Sequence, residues 1–322
     1  YMTLQKLAKM TGVSVSTVSK AFSDSEEISR DTKELVFKTA KSAGCFEKYY
    51  KGKYKKKIIA LICPEIIGEF YNSIVTEFEK ITNDMGAVLS VSVSNFDAKR
   101  EKELIEYYSF VQKADAIILV GGNSDINITD IPIIEIGSYK KQSTQQILIE
   151  IDDAVNDAVK YLKENGHKYI AYAGESHTKG KFKTFKKALL KNNMNVCNDF
   201  IFESGKRFED AGYDCAKQLL ALKNRPTAVI CAYDNIAIGL IKHLQKNGIN
   251  VPDDISVIGI NDIPSAVYGE VELTSIRIDV HDLCAAAIEP LKKKMDNVYA
   301  FSRETISVKS KLVIRNSVKN IT

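Results

Sequence analysis

Residues 14–22, Ser-Val-Ser-Thr-Val-Ser-Lys-Ala-Phe, read as one short helix with two unlike sides. Val18 and Ala21 face inward, and hydroxyls with a single lysine face out. Ser14 is a good N-cap, Leu4, Leu7 and Ala8 have the spacing of a preceding helix, and Gly12 marks the turn between the two. The pair is a helix-turn-helix. Ser29 caps a third helix whose apolar positions Leu35, Val36 and Ala40 close a small core, with Gly44 as its stop. In such a unit the N-terminal residues of the second helix meet base edges, which assigns Val15, Ser16, Thr17, Ser19 and Lys20 to groove and backbone. Residues 1–46 are therefore expected to form a DNA-binding head. Val15, Ser16 and Lys20 should read the major groove, Lys20 by donating to guanine O6 and N7.

Charge separates along the chain in the direction this predicts. Residues 1–57 hold 13 Lys/Arg and 6 Asp/Glu, a net of +7 against +4 for the whole chain, so the rest sums to −3. A basic head on a mildly acidic body suits a polyanion, because phosphate neutralisation supplies the sequence-independent part of DNA affinity. Residues 47–57 read as a basic hinge. The run from Lys48 to Lys57 holds six lysines and three tyrosines without an acid or a proline, and its self-repulsion favours a segment that orders on binding DNA.

From residue 58 to 322 short β-rich runs alternate with longer amphipathic stretches. The strands read as Ile58–Cys63, Val88–Val93, Ala116–Val120, Ile133–Ile136, Ile147–Ile151, Tyr169–Ala173, Ala228–Cys231 and Ser256–Ile260. Helices read as Tyr71–Met85, Arg100–Gln112, Ala154–Asn165, Phe182–Asn192, Asp210–Leu222 and Asn235–Asn247. This βαβ alternation predicts an α/β class of two doubly wound parallel-sheet subdomains, with a ligand in the cleft outside the carboxyl ends of the strands.

Six cysteines at 45, 63, 197, 215, 231 and 284 show neither C-x-x-C pairs nor a secreted disulfide pattern, so they read as free thiols in a reducing cytoplasm. No apolar run is long enough to span a bilayer and no signal peptide is read, so the expected location is cytoplasmic, with no membrane partner. Gly-x-Gly-x-x-Gly, the P-loop and Gly-x-Ser-x-Gly are absent, and histidines 167, 177, 243 and 281 lack metal-ligand spacing. Nothing argues for an enzyme, a metal or a cofactor.

The chain resembles the LacI/GalR transcriptional regulators nearly end to end. The head carries the family pattern in Thr3-Leu4-Gln5-Lys6-Leu7-Ala8, Gly12-Val13-Ser14 and Thr17-Val18-Ser19. The body carries it in Asp115 to Leu119, Ile131 to Ile134, Asn165 to Ile170, Arg225 to Ala228, Leu273 to Ile276 and the very specific Val251-Pro-Asp-Asp-Ile-Ser-Val-Ile-Gly259. The resemblance implies a homodimer on near-palindromic double-stranded operator DNA, acting as a repressor. A small molecule in the cleft would shift the spacing of the two heads. It also implies a fold like that of periplasmic sugar-binding proteins. The first subdomain would then comprise residues 58–151 and 280–302, and the second 152–279 and 303–322.

Two departures stand out. The family hinge, Pro-Asn-x-x-Ala-x-x-Leu, wedges leucines into the minor groove, whereas this chain has Phe46 to Tyr54, placing Tyr54 at the wedge position and Tyr50 one turn before it. In the cleft the family arginine aligns with Lys181 and an aspartate with Asn261. The resemblance places Phe70 and Tyr71 as the stacking aromatic pair and gathers His177, Lys179, Lys181, Arg207, Asp234 and Asn261 around the ligand. That set is cationic and favours an anionic effector, such as a phosphorylated sugar, held by Lys181 and Arg207, with a neutral polyol as the other reading. A body that answers to a partner protein, or to no small molecule, is the competing functional class.

Overall fold

The structure, a computed structural model, describes residues 2–23, 25–50, 56–122, 131–137, 145–296 and 305–322. It divides into two compact units, Tyr1–Lys57 and Ile58–Thr322.

In the first unit, helices α1 (Leu4–Thr11), α2 (Val15–Phe22) and α3 (Arg30–Ser42) each begin at a hydroxyl. The side chains of Thr3, Ser14 and Ser29 accept from the backbone N–H groups of Lys6, Thr17 and Thr32. Each cap satisfies a donor the helix leaves orphaned, worth about 1 kcal/mol. Gly12 ends α1 with φ of 70°, a left-handed conformation that a side chain would strain. Leu7, Ala8, Val18, Ala21, Phe22, Val36 and Ala40 form the core. Leu35 does not join it and is 46% exposed, because Val36 and Ala40 define the inward stripe of α3 and residue 35 lies one position off it.

The expected boundary at residue 46 also moves. Phe46–Tyr49 adds a further turn, α4, and the rings of Phe22, Phe37, Phe46, Tyr49 and Tyr50 pack with centroids 4.7 to 6.2 Å apart. Tyr49 donates its hydroxyl to the Met2 carbonyl at 2.7 Å. The aromatic area this buries outweighs the lysine repulsion that suggested a free linker from residue 47 onward. Tyr54 lies outside the described residues.

The second unit builds its first sheet from β1 (Ile58–Cys63), β2 (Val88–Val93), β3 (Ala116–Val120), β4 (Ile133–Ile136) and β5 (Gln145–Glu150), joined from far along the chain by β11 (Thr305–Lys309). The order is β11-β5-β4-β3-β1-β2, every pair parallel. The second sheet contains β6 (Ile170–Glu175), β7 (Ile201–Ser204), β8 (Ala228–Cys231), β9 (Ser256–Asn261), β10 (Thr274–Arg277) and β12 (Lys311–Val313), in the order β12-β10-β9-β8-β6-β7. Only β12 runs antiparallel to its neighbour among these strands. Helices α5 (Glu69–Asp84), α6 (Ala98–Glu106) and α11 (Val280–Asp296) accompany the first sheet. The second is accompanied by α7 (Asp152–Glu164), α8 (Lys179–Lys191), α9 (Phe208–Leu220) and α10 (Asp234–Lys246). Interior strands such as β3 are buried on both faces, which is why they are continuous apolar runs rather than alternating ones.

The chain crosses between subdomains after β5, after β10 and at Ser310. The last crossing corrects the expected return at residue 303. Thr305–Lys309 pairs in register with Gln146–Glu150, extending the first sheet at its β5 edge, and only the residues beyond it rejoin the second subdomain.

Helices α9 and α10 cross so closely that a Cβ on Gly212 would lie 2.0 Å from the Ile236 carbonyl oxygen, and one on Gly239 would lie 2.1 Å from that of Glu209. Gly212→Ala and Gly239→Ala should each destabilise by about 1–3 kcal/mol despite better helix propensity, read as a lowered denaturation midpoint. Buried His167 bridges the Thr227 hydroxyl (Nδ1, 2.9 Å) and the Lys319 carbonyl (Nε2, 3.1 Å), tying the C-terminal segment to the second sheet. A carbonyl only accepts, so Nε2 carries a proton. Burial lowers its pKa, so the unfolded chain binds the proton more readily. Stability should therefore fall as pH drops below about 6.5, and His167→Gln should flatten that dependence in pH-resolved melting curves.

Candidate functional site

On the head, α2 presents Val15, Ser16, Ser19 and Lys20 outward, while Val18, Ala21 and Phe22 close onto the core. Ser14, exposed at the cap, hydrogen-bonds to Ser16 and Thr17 hydroxyls at 2.8 Å each, and Thr17 is half-buried by that arrangement. Thr3 is likewise exposed at the start of α1. The Lys20 ammonium pairs with Glu27, a partner the sequence reading did not name. Tyr50 stacks on Phe46 at 4.7 Å, so its ring belongs to the head's aromatic cluster instead of standing free as a wedge.

In the body, a cleft of about 650 Å³ opens between the two sheets at the carboxyl ends of their strands. Phe70, Tyr71, His177, Lys181, Arg207 and Asn261 all line it. Phe70 and Tyr71 meet edge to face at 5.5 Å, and burial together with the Glu65 charge pushes the Tyr71 phenol up.

Arg207 occupies the centre and spans the cleft. Its guanidinium binds Glu65 of the first subdomain in a fork, with Nη2 to Oε1 at 3.2 Å, and its Nε lies 3.8 Å from Glu175 of the second. Phe96 and Phe208 cover the two approaches to its plane at 4.8 and 4.7 Å. Glu65 and Glu175 are buried, and Glu175 also accepts from the backbone N–H of His177 and the Ser176 hydroxyl. Tyr233 links the arrangement, accepting from the Phe208 N–H at 3.0 Å while its hydroxyl faces Glu175 at 3.5 Å. The His177 ring stacks on Phe96 at 4.2 Å, a second contact between the subdomains.

Lys181 donates to the Ala232 carbonyl at 2.8 Å and to Asn261 Oδ1 at 3.3 Å. Burial brings its pKa down to about 8, opposed by the charges of Asp234 and Glu175. Asp234 is corrected as a ligand contact: fully buried behind the cleft, it accepts from the Ser275 hydroxyl at 2.5 Å and the Ile263 N–H at 2.8 Å. Burial raises its pKa to about 6, with those two donors pulling the other way. The glycine of the Val251–Gly259 run makes room for it, since a Cβ on Gly259 would sit 2.0 Å from Asp234 Oδ1.

The cations were thus legible in the sequence, and the groups that hold them were not. Glu65, Glu175, Phe96, Phe208 and Tyr233 were unassigned, although each lies at or just after a strand's carboxyl end, where ligands collect in open α/β sheets. With Glu65 and Glu175 set against Arg207 and Lys181, the buried charge of the cleft balances. That balance removes the buried surplus behind the anionic-effector expectation; Lys183 and Lys187, with Asp152, also line the cleft, and His177 and Lys179 are exposed.

Comparison with known proteins agrees with this geometry. Residues 3–44 match the family described as bacterial regulatory proteins, lacI family, and residues 159–318 match the periplasmic binding protein-like domain. The HTH-type transcriptional repressor PurR of Mannheimia succiniciproducens is 29% identical over 99% of both chains. Among solved structures, the lac repressor dimer bound to operator and the anti-inducer ONPF shares the fold with a TM-score of 0.74, at 20% identity over 99% of each chain. The transcriptional regulator CelR in its cellobiose complex has a TM-score of 0.72, at 20% identity over 98% of this chain and all of that one. No helix among the described residues is long and apolar enough to cross a membrane. From the three capped helices of the head to the two sheets facing each other across the Arg207 cleft, the chain belongs to the LacI family of bacterial transcriptional regulators.

Proposed function

We propose that this regulator works in the cytoplasm as a homodimeric repressor, its two heads reading a near-palindromic operator, and that its effector is a neutral sugar of mono- or disaccharide size. The charge balance of the cleft carries the effector reading. Arg207 is forked onto Glu65 and flanked by Glu175, and Lys181 is engaged by Ala232 and Asn261, so an incoming anion would meet no surplus positive charge in the buried part of the site. A polyhydroxylated neutral ligand can accept from Lys181, donate to Glu175 and lie against Phe96, Tyr71 and Phe208. A volume of about 650 Å³ is ample for two sugar rings. The cellobiose complex of a similarly folded regulator is compatible with this class of ligand.

Calorimetric titration of free and phosphorylated sugars tests the reading. Wild type should bind a neutral sugar saturably and its phosphate at least tenfold more weakly. Glu65→Gln, which leaves Arg207 one carboxylate short, should shift that preference toward the phosphate by about tenfold, close to 1.4 kcal/mol. A wild-type protein that prefers sugar phosphates, and loses them on Arg207→Met, would overturn the neutral assignment.

On the head, Lys20 is the base-reading group and Glu27 its competitor. Lys20→Ala should cost about 1–3 kcal/mol on the preferred operator and much less on random DNA. Glu27→Gln should strengthen binding to both: on the operator because an exposed pair worth up to about 1 kcal/mol no longer has to be broken, and on random DNA because the freed ammonium adds its charge. Electrophoretic mobility or anisotropy titrations at fixed salt measure both effects, and equal losses of Lys20→Ala on both DNAs would reduce Lys20 to a phosphate contact.

A further inference from the structure

Lys181 aligns with an arginine of the family pattern, and the exchange changes the chemistry available in the cleft. A guanidinium stays protonated and only donates, whereas an ammonium that sheds a proton becomes a nucleophilic amine. The surroundings of Lys181 favour the shed form. Its Nζ donates to two neutral oxygens, the Ala232 carbonyl at 2.8 Å and Asn261 Oδ1 at 3.3 Å, and no carboxylate among the described residues lies within ion-pairing distance of it. A free amine has two hydrogens, enough to keep both bonds, and deprotonation breaks no ion pair. The side chain also lines the cleft, so the remaining direction at the nitrogen is the one a ligand approaches. Besides the two oxygens, the Tyr233 ring lies 5.8 Å from the nitrogen.

Burial brings the Lys181 pKa down to about 8, against the pull of Asp234 and Glu175. At pH 7.5 about a quarter of the chains then carry the free amine, compared with about one in a thousand for a lysine at the ordinary value of about 10.4. Lysines desolvated in this way are the ones that form Schiff bases with carbonyl ligands.

We propose that Lys181 is a covalent site for an aldehyde, at which the open-chain form of a reducing sugar is captured as a reversible imine. The choice of a sugar rests on the neutral-ligand reading above; the reactivity of the amine does not. The nitrogen lone pair attacks the carbonyl carbon, and one proton passes from nitrogen to the carbonyl oxygen through solvent. The resulting hydroxyl takes a proton from solvent and leaves as water, and the nitrogen lone pair closes the C=N bond. No oxidant or reductant takes part. The protonated imine keeps one N–H for the Ala232 carbonyl, the shorter of the two bonds, and its positive charge stays under the influence of Asp234 and Glu175, as that of the ammonium did. An arginine at this position could hold a sugar only by hydrogen bonds.

Incubation of the full-length protein with D-glyceraldehyde and sodium cyanoborohydride, which reduces an imine to a stable secondary amine, followed by peptide mass mapping, tests the proposal. At pH 7.5 Lys181 should be labelled at least tenfold faster than Lys179 and Lys183, exposed lysines of the same helix that serve as internal standards. Its labelling rate should rise with pH and level off above about pH 8. Lys181→Arg should remove the fast label and leave the slow labelling of Lys179 and Lys183. The decisive comparison is made within the wild-type chain and so does not depend on that variant folding. Labelling of Lys181 no faster than that of Lys179 and Lys183, or a fast label that survives Lys181→Arg, would overturn the assignment. Saturable binding of a neutral sugar without fast labelling overturns the covalent step alone, whereas fast labelling combined with a preference for sugar phosphates supports the amine site and overturns the neutral-sugar reading.

Discussion

A parallel sheet delivers all of its carboxyl ends to one edge, and in this protein two such edges face each other. That constraint places every important side chain of the cleft. Glu65 follows β1, Phe96 follows β2, Glu175 ends β6, Arg207 follows β7, Tyr233 follows β8 and Asn261 ends β9. Residues far apart in sequence therefore converge without any local motif. The Arg207–Glu65 fork is the electrostatic consequence: a buried carboxylate of one subdomain compensated by a half-buried guanidinium of the other. Removing the arginine leaves the buried Glu65 carboxylate without its compensation, which costs more than the pair itself contributes, so the cleft favours exchange of charge in matched steps.

Backbone strain is concentrated at the same edge. Phe96 and Phe208, which flank the guanidinium, have φ of 60° and 57°, and Asn261 has 112°. Bulky residues in the left-handed region cost about 1–3 kcal/mol each and persist only where surrounding contacts over-determine them. Those contacts are visible. The Phe208 N–H is held by the Tyr233 hydroxyl, and Phe96 is pinned between His177 and Arg207. The aromatic faces are thus fixed by the protein, which lowers the ordering cost that a stacked ligand would otherwise meet.

The interior strands were legible in the sequence because burial on both faces leaves a continuous apolar run. Ile58–Cys63, Ala116–Val120, Ile133–Ile136 and Ala228–Cys231 came out at their observed limits, as did the edge strand Val88–Val93 by its alternation. Strands β7, β10, β11 and β12 did not, being short and rich in polar residues. In β10, for instance, buried Ser275 is satisfied by Asp234 and the buried Thr274 N–H by Ser317, partners that only the folded chain supplies. The same limit explains Asp234: an acid at a strand end reads alike whether it points into a cleft or back toward a serine. It also explains Glu65 and Glu175, whose role is defined by an arginine that reaches them from another strand. In the head, periodicity identified the inward stripe but placed Leu35 one residue too generously within it, and lysine density hid the aromatic packing that carries the fold on to Tyr50.

If Lys20 reads the operator as proposed, its pairing with Glu27 gives the head a physical basis for discrimination as well as affinity. In the structure the ammonium already has an acceptor, so any DNA contact begins by giving up that pair, at up to about 1 kcal/mol because both partners are solvent-exposed. A guanine edge offering O6 and N7 returns about 1–3 kcal/mol, enough to pull the lysine across, whereas a base that offers no matching acceptors does not. On non-matching sequences the lysine stays with Glu27, and the remaining attraction comes from the basic charge of the head, which is indifferent to sequence and weakened by salt. On the proposed reading, an acid beside Lys20 subtracts little from the correct complex and withholds one positive charge from every incorrect one.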